Sequence, residues 1–280
     1  MSQLVVPSAP QTLSFDPQRL HALVGDILEE ARHRGAVAAE AGASSESGLS
    51  ATVRLGEVET IEYNRDKGLG VTVYFPAPAG ESGLRKGSAS TTDFGAEAVR
   101  ETVRAACDIA RYTSADPYAG LAEAELMARE VPDLDLFHPW GVGAEEAVAL
   151  ALECEQAALD ADTRIRNSEG ASVTSHEGYR VYGNSHGFVG GYPTTRHSLS
   201  CAVIGEQSGA MQRDYWYSVS RVPGDLEAAS AVGKRAAERT LRRLGSRRLG
   251  TEQVPVVFAA ELAGGLLGGL LRAIGGGAQY

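Results

Sequence analysis

The chain has 280 residues, 43% of them hydrophobic and 22% charged, with a formal net charge of −10 at pH 7. That length supports one large or two modest domains with real cores. The acidic balance argues against a nucleic-acid or anionic-membrane partner, because both are held chiefly by excess Lys and Arg.

Three widely spaced cysteines, Cys107, Cys154 and Cys201, suit a reducing compartment and no disulfide framework. Met1–Pro10 lacks the basic and apolar regions of a signal peptide. The uncharged run Leu262–Leu271 is too short to span a membrane.

Residues 1–14 are expected to form a disordered tail. Asp16-Pro17 then reads as a helix start, a capping carboxylate followed by proline at the first helical position. Leu20, Leu23, Val24, Ile27, Leu28 and Ala31 follow at helical spacing, and Arg32, His33, Arg34 and Gly35 close the helix. His33 is a helix-end cation on this reading.

The period then changes to two. Leu49–Leu55, Val58–Asn64 and Leu69–Phe75, with a turn at Gly56-Glu57, predict neighbouring antiparallel strands with one covered face. Pro76–Gly83 is a loop and Arg85–Thr92 a more polar strand. Two helices come next, Ala96–Arg111 with Val99, Val103, Ala106 and Ala110 on one face, and a second opening at Glu145 and Glu146. Cys107 and Cys154 lie on or beside their apolar faces and read as small core residues. Between the helices, Pro132 and Pro139 make Asp133–Pro139 an extended connector. Asp133, Asp135 and His138 are metal-ligand types, but an extended segment does not gather them.

Ile165–Thr174, Gly178–Tyr182, Phe188–Tyr192, Arg196–Glu206 and Met211–Arg221 are predicted strands, with turns at Asn184–Gly187 and Gln207–Gly209. A helix over Leu226–Leu244 stops at Gly245. Its Arg239, Arg242 and Arg243, with Arg247 and Arg248 beyond, read as a solvated helix end that complements the macrodipole. The sum over 15–248 is an α+β domain: a multi-stranded antiparallel sheet with helices packed on one face.

A second domain begins at about Thr251. Val256–Phe258 predicts a buried strand and Glu261–Ile274 a helix. Gly264, Gly265, Gly268 and Gly269 each cost that helix about 1 kcal/mol relative to Ala, so a closely packed neighbour is expected. One strand and one helix cannot bury their own faces. The segment 251–280 is therefore expected to be an incomplete domain, and the chain a fragment or truncated product.

Several chemical motifs fail on their surroundings. Gly183–Gly187 matches G-x-S-x-G, but a nucleophile elbow needs a helix after the serine and a histidine later in the chain. A strand follows Ser185, and no histidine lies beyond His197. His176-Glu177 begins an apparent HExxH whose second histidine position is Arg180, on a strand rather than a helix. His186 and His197 could approach across strands, without a placed carboxylate or thiolate. No Walker loop or dinucleotide fingerprint occurs. Small-residue strands such as Gly87–Thr92 and Ser198–Ser200 suit the addition of an extended peptide, with Tyr192, Arg196 and His197 as candidate groups lining that surface.

Three stretches carry a resemblance: Gly68–Tyr74 with Gly87–Asp93, Asp133–Pro139, and Pro255–Tyr280. They resemble the TldD/PmbA family, and the likeness spans about Asp16 to Tyr280. The family pairs a catalytic TldD-type subunit with a TldE (PmbA) type partner. In the catalytic type a helix carries His-Glu-x-x-x-His, which supplies zinc ligands and a general base. Here those positions fall on Gly268-Gly269-Leu270-Leu271-Arg272-Ala273, so Gly268, Gly269 and Ala273 replace the donors.

The resemblance therefore implies a non-catalytic TldE-type subunit, with no catalytic or metal-binding residue of its own and zinc in its TldD-type partner. It further implies a cytoplasmic heterodimer that degrades or processes unfolded peptides, among them peptide-antibiotic precursors and labile antitoxins. A stand-alone peptide-binding or scaffold protein is the alternative, and a hydrolase using Ser185 a third.

Overall fold

The computed structural model describes residues 16–279 and separates into two units, Met1–Gly245 and Ser246–Tyr280. The expected tail at 1–14 lies outside the described residues. The first unit runs α1 (Pro17–His33), β1 (Ala38–Arg54), β2 (Glu57–Pro76), β3 (Leu84–Thr91), α2 (Ala96–Tyr112), α3 (Ala144–Leu159), β4 (Ile165–Asn184), β5 (Val189–Gln207), β6 (Ala210–Ser220) and α4 (Ala229–Arg243). The six strands form one antiparallel sheet in the order β3-β2-β1-β4-β5-β6. Two three-stranded meanders thus meet at the β1–β4 ladder, with α2 and α3 in the connection between them.

Local signals set the ends of these elements. The Asp16 carboxylate accepts from Arg19 N at 3.2 Å, capping α1 ahead of the proline. The β1–β2 turn is built on Leu55 and Gly56, at φ 52° and 80°. Both central residues are left-handed, as a two-residue hairpin requires, so the turn lies one residue earlier than Gly56-Glu57.

β2, β4 and β5 are single strands of 20, 20 and 19 residues, where the sequence pattern divides each into two. Their middles are polar, which interrupts the alternation. The ladders nonetheless continue through Arg65–Lys67 and Ser175–Gly178, because neighbouring strands take up the backbone hydrogen bonds.

Strand alternation puts every buried apolar residue of β1 at odd positions, and α1–α4 lie on that face. It holds two separate clusters. Ala39, Ala41, Ala43, Leu69, Val71, Val73 and Val181 pack against α1 and α2. Leu49, Ala51, Val53, Val173, Leu199, Cys201 and Val203 pack against α3 and α4. Cys107, Cys154 and Cys201 are all buried and free, as small core residues. Two glycines allow the closest approaches: a Cβ at Gly87 would fall 2.1 Å from Ala106 O on α2, and one at Gly233 1.9 Å from Cys154 O on α3.

The second unit contains α5 (Ala260–Ile274) and α6 (Gly276–Gln279). α5 follows the predicted helix, but the strand expected before it does not form. Val256–Phe258 is not a strand: it has no ladder partner among the described residues and stays exposed. A Cβ at Gly264, Gly265, Gly268 or Gly269 meets nothing within 4 Å, and no side chain of α5 is buried. Among the described residues no helix is long and apolar enough to cross a membrane.

Candidate functional site

The even positions of β1 point to the opposite face of the sheet, which carries no helix of the first unit. Glycines recur on this open face: Gly42 and Gly48 on β1, Gly68 and Gly70 on β2, Gly178 on β4 and Gly190 on β5. The registers Gly42↔Gly70, Gly42↔Tyr182, Tyr182↔Gly190 and Ser44↔Gly68 bring several of them together. Gly42, Gly68 and Gly70 leave a floor of backbone, whereas His176, Glu46 and Val131 fill the space beside Gly48, Gly178 and Gly190. A depression of about 720 Å³ lies there, crossing from Ser90–Thr92 through β2 and β1 to Arg180, Tyr182 and Tyr192. Five strands spaced about 4.8 Å apart give it a length near 19 Å, which suits about six residues of extended chain.

A second depression of about 390 Å³ shares Arg180 and Tyr192 with the first and adds Glu46, His176, Gly178, Thr194, Arg196 and Arg221. Arg180 donates to Glu46 Oε1 at 2.8 Å. The His176 ring lies across β1 where Gly48 has no side chain, its Nδ1 only 2.1 Å from where a Cβ would stand. Arg221 donates to Thr194 Oγ1 at 2.8 Å and to Thr195 O at 3.1 Å, two neutral acceptors. Glu177 also lines this depression, and burial pushes its carboxyl above the usual carboxylate range. At the far end of the open face, the Tyr74 and Tyr182 hydroxyls donate to the two oxygens of Glu40 at 2.9 and 3.1 Å. Burial and this contact raise Tyr74 above its ordinary value.

Of the residues picked as a lining surface, Tyr192 and Arg196 are exposed on the open face and His197 is not. Successive strand residues point to opposite faces, and His197 is 1% exposed on the helix side. Its Nε2 donates to His138 O at 2.9 Å, so Nδ1 accepts the Ser175 hydroxyl at 3.0 Å, with the Trp140 ring edge-on at 5.5 Å. Burial lowers its affinity for a proton. This neutral, enclosed pair braces the sheet and has no route to a substrate. Ser198–Ser200 pairs with β4 and β6 on both sides, so that segment cannot accept an added strand. Gly87–Thr91 lies on the edge strand β3.

The other motifs resolve as structure. Ser185 sits in the β4–β5 hairpin, exchanging hydrogen bonds with Ala39: N donates to Ala39 O at 2.8 Å, and Oγ accepts from Ala39 N at 3.1 Å. His138 Nε2 donates to Asp135 O at 3.0 Å, within the connector. No three His, Cys, Asp or Glu side chains converge as a metal site among the described residues. On α5 the side chains at 268, 269 and 273 are hydrogen, hydrogen and methyl, a set with no donor, so these positions do not fit zinc.

The sequence pattern passes over Glu155, which is 1% exposed on α3. Its two oxygens accept from Leu55 N and Gly56 N, each at 2.9 Å, fastening the β1–β2 turn to the helix. The available signal is its position four residues after Ala151, on the apolar stripe. The open-face glycines carry a signal too, their shared parity along each strand.

Comparison with known proteins follows the same lines. Residues 39–110 match the family model described as PmbA/TldA metallopeptidase domain 1, and residues 137–244 the PmbA/TldA metallopeptidase central domain. Metalloprotease PmbA of Escherichia coli O157:H7 is 52% identical over 242 residues, covering 86% of this chain and 52% of that protein. A Metalloprotease PmbA homolog of Haemophilus influenzae is 42% identical, covering 96% of this chain and 58% of that protein. The chain thus spans about half the length of the curated relatives it matches.

Among solved structures, a candidate modulator of DNA gyrase from Bacteroides thetaiotaomicron superposes with TM-score 0.72 at 24% identity, covering 81% of this chain and 51% of that one. TldE from Thermococcus kodakarensis gives 0.64 at 16%, covering 78% and 47%. These two likenesses establish the fold, and the family models and curated relatives establish the lineage: the chain belongs to the PmbA/TldD metallopeptidase family.

Proposed function

We propose that this chain is part of a TldE-type, non-catalytic subunit whose open sheet face receives an unfolded peptide, while a TldD-type partner supplies the zinc that cleaves it. The observation that carries the reading is the side-chain set of α5. Gly268, Gly269 and Ala273 stand where the catalytic type holds His, Glu and His, and none of them can bind a metal or move a proton. The role left to the chain's own residues is to hold and orient substrate. A glycine floor about 19 Å long lets an extended peptide lie close against the sheet, in van der Waals contact that selects no side chains. Tyr192 and Arg196 stand beside it on the same face.

The working assembly on this reading is a cytoplasmic heterodimer acting on unstructured polypeptides, with no nucleic acid or membrane involved. When bound in the partner, zinc would activate water and polarise the peptide carbonyl. The test is a peptidase assay on the chain alone, on a HExxxH-bearing TldD-type subunit alone, and on the two together. Zinc-dependent cleavage that requires the TldD-type subunit and rises when this chain is added is expected. Cleavage by the isolated chain with stoichiometric zinc refutes the non-catalytic role. Binding of unfolded peptide with no effect on the partner's activity favours a stand-alone peptide-binding protein.

A further inference from the structure

We infer that the smaller depression on the open face is a carboxylate subsite, which takes the C-terminal carboxylate of a bound peptide or an Asp or Glu side chain within it. This rests on the peptide-binding reading above and names a chemical preference for it.

The chain is acidic as a whole, with a net charge of −10, yet three guanidinium groups converge on one depression of about 390 Å³. Arg180 is neutralised by Glu46 at 2.8 Å. Arg221 is held in place by the neutral acceptors Thr194 Oγ1 and Thr195 O, so its direction is fixed while its charge has no carboxylate partner among the described residues. Arg196 is exposed and makes no hydrogen bond or ion pair within the described residues.

Arg196 is the cross-strand partner of His176, whose ring occupies the place a side chain at Gly48 would take. Only a glycine there admits the imidazole. Glu177 borders the depression at a position whose side chain turns to the helix side, away from an incoming anion.

Two guanidinium groups without carboxylate partners, one braced and one exposed, suit a planar carboxylate, which each can meet through paired N–H donors. The depression shares Arg180 and Tyr192 with the longer glycine-floored one, so a peptide lying on that floor ends at this subsite.

The experiment is fluorescence anisotropy with the full chain and three labelled, unstructured hexapeptides of Gly, Ser and Ala: a free acid, its C-terminal amide, and the amide with one Glu. The free acid is expected to bind about tenfold more tightly than the amide, as one charge-assisted contact implies. The Glu-bearing amide recovers that gain if side chains are read, and matches the plain amide if only chain ends are. Either pattern supports the subsite. Arg196→Gln brings the acid-to-amide ratio close to one, whereas Arg100→Gln on α2 leaves it unchanged.

Equal binding of all three peptides, or a ratio that survives Arg196→Gln, overturns the carboxylate subsite while leaving the peptide-binding face standing. Failure of every peptide to bind overturns both. Arg196 is exposed, so its replacement leaves the fold intact, which circular dichroism checks.

Discussion

Gly68→Leu separates the fold's needs from the site's. Gly68 sits on the open face of β2 opposite Ser44, and a Cβ built there meets nothing within 4 Å. Its φ lies outside the left-handed region, so an L side chain fits the strand without strain. Removing the glycine's excess backbone freedom stabilises the strand by about 0.5–1 kcal/mol. That raises the melting temperature by about 1–4 °C for a body of this size. The new isobutyl group stands on the floor of the larger depression, which Gly68 lines. A peptide lifted off that floor loses close contact over about 40–80 Å² of apolar surface, worth about 1–2 kcal/mol, which weakens binding about 5- to 30-fold. Thermal unfolding and peptide anisotropy on the same preparation read the two effects together. A variant with raised stability and undiminished affinity would refute the glycine floor as the binding surface.

Gly233→Ala follows the opposite logic. Ala is favoured in a helix by about 1 kcal/mol, but its methyl would fall 1.9 Å from Cys154 O, so the α3–α4 contact must open. The urea midpoint should drop by the equivalent of about 1–3 kcal/mol, and an unchanged midpoint would mean the helices can part freely. Glu155→Gln keeps one acceptor and turns an amide donor toward a backbone N–H at the β1–β2 turn. A loss of about 2 kcal/mol is expected by equilibrium denaturation, together with faster hydrogen exchange at Leu55 and Gly56.

His197 governs a pH effect. Burial depresses its folded-state value, so the unfolded chain takes up a proton first as pH falls through about 6.5, and stability present above that point is lost as pH falls toward the folded value. The hydrogen bond to the His138 carbonyl works against the depression, and the charges of the His138 and His176 rings reinforce it. Glu177, raised by burial, acts in the other direction. Denaturation midpoints measured from pH 7.5 to 5.5 should decline, and His197→Gln should flatten the decline. An identical slope in the variant would show that the buried imidazole is not its source.

How much of this was legible in the sequence depends on the range of each interaction. The α1 cap could be read because Asp16 and Arg19 are three residues apart, and the helix stripes because each is local. Alternation along β1 and β2 gave the covered face, and the hairpin turns gave antiparallel pairing. The continuity of β2, β4 and β5 was hidden, since polar middle rows look like breaks until the neighbouring strands supply their ladders. Glu155 reaches across about 100 positions to its turn, a distance at which local pattern is silent. The glycine floor needs the register of four strands at once. His197 was a different kind of miss. Adjacent strand residues point oppositely, so Arg196 and His197 could not both line one surface, and the alternation to show it was already present.

The polar middle rows also explain why the depressions lie where they do. On the helix side, Ser45 of β1 stands between Ala39–Ala43 of one cluster and Leu49–Val53 of the other, and Glu177, Ser175 and His197 lie in the adjoining rows. The reverse side of the same rows carries Glu46, Gly178, His176 and Arg196. The smaller depression is thus backed by a hydrogen-bonded band rather than by a hydrophobic core.

The connector between α2 and α3 closes that band at β5. Leu136 O accepts from Thr195 N at 2.9 Å, Thr195 Oγ1 accepts from His138 N at 2.9 Å, and His138 O accepts from His197 at 2.9 Å. Asp133–Pro139, which in sequence offers metal-ligand types, therefore spends its backbone on sealing the sheet's middle. Because neither apolar cluster reaches those rows, the charges facing the other way can change with the ligand they meet at little cost to the packing that holds the fold.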